Sequence, residues 1–290
     1  MPQSKTKASD IAIEAKRLYF PQIAHVMPHC YARSILHEDS TFIPVPDRTR
    51  THGRLRISVQ DCDPVDLAIR WNDENRKLDP NRQIPVVNMA NERRAGGDWE
   101  SALVAPEECF ARRSNLVSAL PAPWNPATSS THYPIPQKGG LYSPSVVIFR
   151  SGQDDYRPWP QQEYRSIPVI SVAPVRRPKL DSTSTTYSFD DEKELMRDKM
   201  RSILRIATYY RYRDLCLGAF GVGPVFRNPA RETANMWKEL LFDSEEFNSF
   251  ENIVFAIDTS ASSSQKTGSA DLEVYRETFD PHHLFPTKFR

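Results

Sequence analysis

Apolar residues recur along this chain with two distinct periods. Short runs rich in Val and Ile read as buried strands: "IPVVNMA" (84–90), "SPSVVIFRS" (143–151), "IPVISVAPV" (167–175), "DLCLGAF" (214–220) and "ENIVFAID" (251–258). "RLRISVQDCD" (54–63) alternates and predicts a further strand. Between these runs the spacing becomes helical. "SDIAIEAKRLYF" (9–20) predicts a helix capped by Ser9 or Asp10, with Ile11, Ala15 and Leu18 on one stripe. "PVDLAIRWNDE" (64–74) places Pro64 in a first turn, and another helix begins near Pro106. The strongest helix runs from about Asp190 to Tyr210, with Met196, Met200, Ile203, Leu204, Ala207 and Tyr210 on one face and basic residues on the other. "NPARETANMWKELLF" (228–242) predicts a helix with Asn228 as N-cap and Pro229 in first position. Residues 20–53 are rich in Pro and His without periodicity, 119–140 read as a long surface loop, and "DSTSTTYSFDDE" (181–192) as a flexible connection. Strands alternating with helices argue for an α/β layer fold. There is no internal repeat and no compositional break, so the pattern is one domain with an N-terminal elaboration.

Composition narrows the function classes. Of 290 residues, 39% are hydrophobic and 26% charged, which is a globular balance with generous loops. A formal net charge of +1 gives no electrostatic case for direct nucleic-acid binding. Cys30, Cys62, Cys109 and Cys216 lie far apart without a CxxC pair, so buried thiols in a reducing compartment fit better than a disulfide framework or a zinc site. The N-terminus lacks an apolar core, and no apolar run is long enough to span a bilayer, so no membrane association is expected. The expected location is cytoplasmic or nuclear.

Three stretches carry candidate chemistry. In "VVNMANERRAGGDWESALVAPEECFARR" (86–113) a strand runs into a loop with Asn88, Asn91, Gly96 and Gly97. Ligands in α/β sheets bind beyond the carboxyl ends of strands, asparagine amides both donate to and accept from sugar hydroxyls, and glycines permit close backbone approach. An ordinary Asn/Gly-rich turn accounts for the same residues equally well. Next, Pro106 sets Glu107 and Glu108 in the first turn of a helix. The helix dipole alone explains acidic residues there, and it favours the ionised form, whereas a general acid needs a pKa raised by burial. Finally, "LGAFGVGPVF" (217–226) puts Gly218, Gly221 and Gly223 between a strand and a helix. Backbone N–H groups of such a loop can form a nest for a diphosphate, and Phe220 and Phe226 are placed to flank a sugar or base. A plain strand-to-helix turn is the competing reading. The spacing is not that of the dinucleotide fingerprint.

Taken together, these blocks resemble the microbial-type poly(ADP-ribose) glycohydrolase family. "VVNMANERRAGG" resembles the ribose-binding pattern of macrodomains. A glycine run, a spacer and then Glu-Glu resembles the family's Gly-Gly-Gly…Gln-Glu-Glu signature, and "LYSPSVVIFR", "ISVAPVRRP" and "CLGAFGVGPVFRNP" resemble its remaining blocks, in order, over roughly residues 9–260. The resemblance implies a macrodomain-like three-layer α/β/α fold with a mixed central sheet and an N-terminal helical elaboration. Residues 1–53 would be an extension packed on the core, 54–262 the catalytic domain and 263–290 a C-terminal tail. The partners it implies are ADP-ribose or poly(ADP-ribose) and ADP-ribosylated proteins, with no cofactor and no metal.

Carried over residue by residue, the resemblance makes Glu108 the catalytic glutamate and Glu107 its partner on ribose hydroxyls. Asn88 and Asn91 would contact ribose, and Gly96, Gly97 and Asp98 would lie along the substrate near the scissile linkage. Gly218, Ala219, Phe220, Gly221, Val222 and Gly223 would cradle the diphosphate, with Phe226 against the ribose near its anomeric carbon. Pro106 stands where the family has Gln, Asp98 where it has a third glycine, and Pro224 has no N–H to offer the diphosphate. The implied activity is glycosidic hydrolysis through an oxocarbenium-like transition state. The alternative is a macrodomain that binds ADP-ribose as a reader without cleaving it, motivated by Asp98 and Pro106; the retained Glu107-Glu108 pair argues against it.

Overall fold

The computed structural model describes residues 7–30, 33–44, 55–121, 131–152, 154–243, 245–260 and 265–284. In chain order the elements are α1 (Ala8–Glu14), α2 (Phe20–Val26), β1 (Ile35–His37), β2 (Arg56–Gln60), α3 (Pro64–Leu78), β3 (Val86–Met89), α4 (Pro106–Arg113), α5 (Leu116–Ala119), β4 (Gly140–Ile148), β5 (Arg165–Val172), α6 (Asp190–Tyr209), β6 (Asp214–Leu217), α7 (Ala230–Lys238), β7 (Asn252–Ala256), α8 (Gln265–Thr278) and α9 (Pro281–Leu284). The strands form one mixed sheet in the order β1-β4-β5-β3-β6-β7-β2. The run β5-β3-β6-β7-β2 is parallel, and β4 joins antiparallel to both β5 and β1.

Alternation along the strands divides the interior into two layers. Val87, Ile170, Leu215, Ile253 and Phe255 face a core built with α6, α7 and α8. Val86, Val169, Cys216, Val254 and Ala256 face a second core built with α3, α4 and α5. Because both faces are covered, β3 and β6 are buried along their whole length, which is why they read as unbroken apolar runs.

Several sequence expectations are corrected. Ser9 and Asp10 do not cap α1, which starts after an extended Lys7 with no side-chain cap. A π turn at Ala15–Tyr19 shifts the buried stripe, so Leu18 is 51% exposed while Ile11, Ala12, Ala15 and Ile23 are buried. The unpatterned segment after residue 20 contributes α2 and the edge strand β1, so the N-terminal region is woven into the sheet through β4. Asn228 does not cap α7: its amide donates to the carbonyls of Val175 (2.7 Å) and Gly221 (2.8 Å), and its oxygen accepts from Tyr187 Oη (2.8 Å). The connection 181–192 is an ordered turn, with the Asp181 carboxylate accepting from Thr185 N–H (2.9 Å) and a bridge between Leu180 and Tyr187. Of the proposed loop 119–140, residues 122–130 lie outside the described residues; His132 and Ile135 are buried. The expected tail is largely helix: Leu272 and Tyr275 of α8, with Phe279 just after it, are buried against the α6 and α7 core. Residues 1–6, 45–54, 261–264 and 285–290 lie outside the described residues, and with them the ends of the proposed extension and tail. Among the described residues no helix is long and apolar enough to cross a membrane.

Candidate active site

The carboxyl ends of β2, β3, β6 and β7 open onto one edge of the sheet, and a largely apolar cleft lies across them. Asn88 and Met89 at the end of β3, the loop after β6, and Ile257 and Asp258 after β7 line it. The start of α4 supplies Pro106 and Phe110, and α8 supplies Gly268 and Asp271.

Helix α4 begins where Pro106 requires no N–H partner, which sets Glu107 and Glu108 in its first turn. Both are buried, 3% and 6% exposed, beneath the loop that follows β3. Three donors converge on the Glu107 carboxylate: Asn91 N–H (2.6 Å), Gly96 N–H (3.2 Å) and Asn88 Nδ2 (3.3 Å). Asp98 N–H donates to Glu108 Oε1 (3.1 Å). The loop turns back on itself because Asn91 Oδ1 accepts from Arg93 N–H (2.9 Å) and Arg94 N–H (3.1 Å). Gly96 and Gly97 have left-handed φ values of 74° and 56°. A Cβ on Gly97 would overlap Glu108 Oε1, and one on Gly96 would meet Val117 Cγ2 at 2.6 Å. The glycine pair and the glutamate pair are thus two halves of one packing unit.

Burial outweighs the helix dipole at both carboxyls. Desolvation pushes Glu107 up to about 8, opposed by its N–H donors and reinforced by Glu108. Desolvation raises Glu108 as well, opposed by hydrogen bonding to its own backbone and by Arg112, Arg176 and Arg94. For Glu108 the upward direction is the one a general acid needs, which helix position alone does not supply.

The loop after β6 forms the facing wall. Gly218, Ala219, Val222, Gly223 and Phe226 line the cleft, together with Pro224 and Val225. Among the described residues no acceptor meets the N–H groups of Ala219, Phe220 or Gly223. Two expected members face elsewhere. Gly221 is turned to the core, its N–H on Met89 Sδ (3.3 Å), with Asn228 and Pro174 close to its missing Cβ. The Phe220 side chain is fully buried beside Trp237, ring centroids 6.3 Å apart, so it does not flank a sugar or base. Both follow from the tight turn after the strand, which must alternate inward and outward positions. Val222 offers its side chain, since its N–H is taken by the Ala219 carbonyl (3.0 Å).

The structure brings Asn88, Pro106 and most of the β6 loop to one cleft. Glu107, Glu108, Asn91, Gly96 and Gly97 lie at the same end but one layer behind its wall, with the loop folded over the carboxylates. Asp98 points its carboxylate outward to Arg94 and uses only its backbone on Glu108. Sequence reasoning missed Asp63, Arg113, Asp258, Gly268 and Asp271 on the cleft. Asp63 caps α3 through Val65 N–H (2.8 Å) and Asp66 N–H (2.9 Å) and pairs with Arg113 (3.1 Å); the Asp-Pro start of that helix was the available signal. Among the described residues no cluster of three or more His, Cys, Asp or Glu is placed to hold a metal ion.

Comparison with known proteins agrees with this architecture. The model for the microbial-type PARG catalytic domain matches residues 7–151, half of the chain. No curated protein sequence matches. Among solved structures, a poly(ADP-ribose) glycohydrolase from Thermomonospora curvata superimposes with a TM-score of 0.74 at 22% identity, covering 94% of this chain and 99% of that one. The Thermomonospora curvata enzyme bound to the inhibitor ADP-HPD gives 0.71 at 23% identity, with the same coverage. A poly(ADP-ribose) glycohydrolase from Deinococcus radiodurans in complex with ADP-ribose gives 0.66 at 20%, covering 89% and 98%. These likenesses establish the macrodomain-like fold, and with the match of the family model the chain belongs to the microbial-type PARG catalytic-domain family.

Proposed function

We infer that the protein is a poly(ADP-ribose) glycohydrolase, binding the terminal ADP-ribose of the polymer in the cleft and cleaving the ribose–ribose O-glycosidic bond. The observation that supports this best is the buried Glu107-Glu108 pair, packed under the Gly96-Gly97 loop at the end of an apolar cleft whose facing wall is a glycine loop with unused N–H groups. The N–H groups of Ala219, Phe220 and Gly223 hold the diphosphate as a backbone nest, fixing the adjoining ribose against Phe226. Glu108, whose burial favours the protonated form, gives its proton to the leaving ribose oxygen as the anomeric C–O bond breaks and an oxocarbenium-like centre forms. Its carboxylate then takes a proton from the water that attacks that carbon. Glu107, oriented by Asn88, Asn91 and Gly96, holds ribose hydroxyls. A shift of the Gly97–Asp98 segment, which packs against the Glu108 carboxyl, brings Glu108 to the scissile oxygen.

The test is to incubate the purified protein with poly(ADP-ribose) and measure released ADP-ribose. Glu108→Gln should depress turnover by at least about 10²-fold while leaving ADP-ribose affinity nearly unchanged. Release by the variant at the parent rate removes Glu108 from the mechanism. Calorimetric binding of ADP-ribose by the parent chain without any release supports the reader alternative.

A further inference from the structure

The segment after β5 carries Arg176 and Arg177, and the loop after β6 ends in Arg227. All three side chains are exposed, and among the described residues none forms an ion pair. Arginines elsewhere in the molecule, such as Arg82, Arg113, Arg150 and Arg205, are matched to carboxylates. These three sit on the same rim. Arg177 N–H donates to the Phe226 carbonyl (2.6 Å), tying its segment to the cleft wall. Arg227 Nε donates to the carbonyl of Pro224 (3.3 Å), another wall residue. Arg177 and Arg227 both hold left-handed φ values, 54° and 63°, which a residue with a Cβ adopts reluctantly. Arg176 acts electrostatically on the Glu108 carboxyl, so the rim adjoins the reacting end. At the other end, the cleft is lined by Asp63, Asp258 and Asp271, and a neighbouring recess adds Asp61, Asp66 and Asp154; among the described residues Arg113, paired with Asp63 and Asp66, is the one arginine on that lining, so the carboxylates outnumber it. A net charge of +1 means this polarity is local rather than a property of the whole surface.

We propose that Arg176, Arg177 and Arg227 form a second phosphate-binding subsite, separate from the β6 backbone nest, which holds the diphosphate of the polymer unit on the leaving side of the scissile bond. This rests on the hydrolytic reading of the site. Each polymer unit carries a diphosphate, and guanidinium forks match phosphate oxygens bidentately. The acidic far end disfavours an anion, so the rest of the chain leaves past the arginines.

The test compares the full-length chain with an Arg176→Gln, Arg177→Gln, Arg227→Gln triple variant. ADP-ribose affinity is read by calorimetry, and polymer turnover at low and at physiological ionic strength. KM for the polymer should rise roughly 10-fold at low salt, with ADP-ribose affinity within about twofold of the parent, and the salt dependence of KM should flatten. An unchanged polymer KM overturns the subsite. So does an equal loss of ADP-ribose affinity, which would assign the arginines to the diphosphate already in the nest. Polymer binding in a Glu108→Gln background separates the two readings: affinity lost with the arginines supports the subsite even where the parent releases nothing, and unchanged affinity overturns it.

Discussion

Gly97 and Glu108 explain one another. A left-handed φ of 56° admits glycine, and the volume that a Cβ would fill is occupied by the Glu108 carboxyl oxygen. The consequence for Gly97→Ala has two separate parts. Holding alanine in a left-handed conformation costs about 1–2 kcal/mol of stability. Displacing the carboxyl is the larger functional effect, since an acid misplaced by about 1 Å loses on the order of 10²-fold in rate. The variant should fold, melt slightly lower and release ADP-ribose about 100-fold more slowly; parent-like turnover would show that the loop does not position Glu108. Asp98 bears on the same unit in a different way. Its side chain faces Arg94 and solvent while its N–H binds Glu108, so an aspartate in place of a third glycine is compatible with this packing.

The loop carrying these glycines is held from behind by neighbouring elements. Arg112, buried in α4, donates Nε to the Trp99 carbonyl (2.9 Å) and Nη2 to the carbonyls of Ser101 and Leu103 (2.7 Å each). Trp99 is itself buried against Phe20, and Lys16 pairs with Glu100, so the α1–α2 rod supports the loop. Arg150 bonds the Ile11 carbonyl (3.1 Å), the Arg112 carbonyl (3.0 Å) and Glu14 (2.6 Å), linking that rod to α4 and β4. Arg112→Ala breaks three charge-assisted bonds and leaves a cavity, a loss of about 2–4 kcal/mol in denaturant unfolding. Arg112→Lys should recover only part of it, because one ammonium does not span three carbonyls. Full recovery by lysine would reduce the role of Arg112 to charge alone. The N-terminal segment was readable as helical, but its support of the glycine loop was not: the contacts of Phe20 and Lys16 join residues about 80 positions apart, and the π turn moves the buried stripe away from regular spacing.

For the molecule as a whole, the buried carboxyl pair makes stability depend on pH. Glu107 titrates at about 8 when folded, against an ordinary value of 4.5. Between those values the folded protein holds a proton that the unfolded chain releases, so stability falls as pH rises through the window, with a slope of at most about 1.4 kcal/mol per pH unit. In Glu107→Gln that slope should be absent: the melting temperature of the parent should drop from pH 5 to pH 8 more than that of the variant, and parallel profiles would contradict a raised Glu107. Strands β2 to β7, helices α1, α3, α4, α6 and α7, the apolar face of α6 and the spacing between glycine and glutamate pairs were readable along the chain, whereas α2, β1 and α8 were not. Each is set by periodicity, turn chemistry or proximity in sequence, which act over a few residues. Tertiary packing decided the rest. It turned Phe220 and Gly221 inward, drew Asn228 from its cap to Val175 and Gly221, and made α8 a wall of the cleft. It also raised the pKa of two glutamates that a helix N-terminus would otherwise keep ionised. Burial is a property of what surrounds a residue, and most of those surroundings arrive from distant parts of the chain.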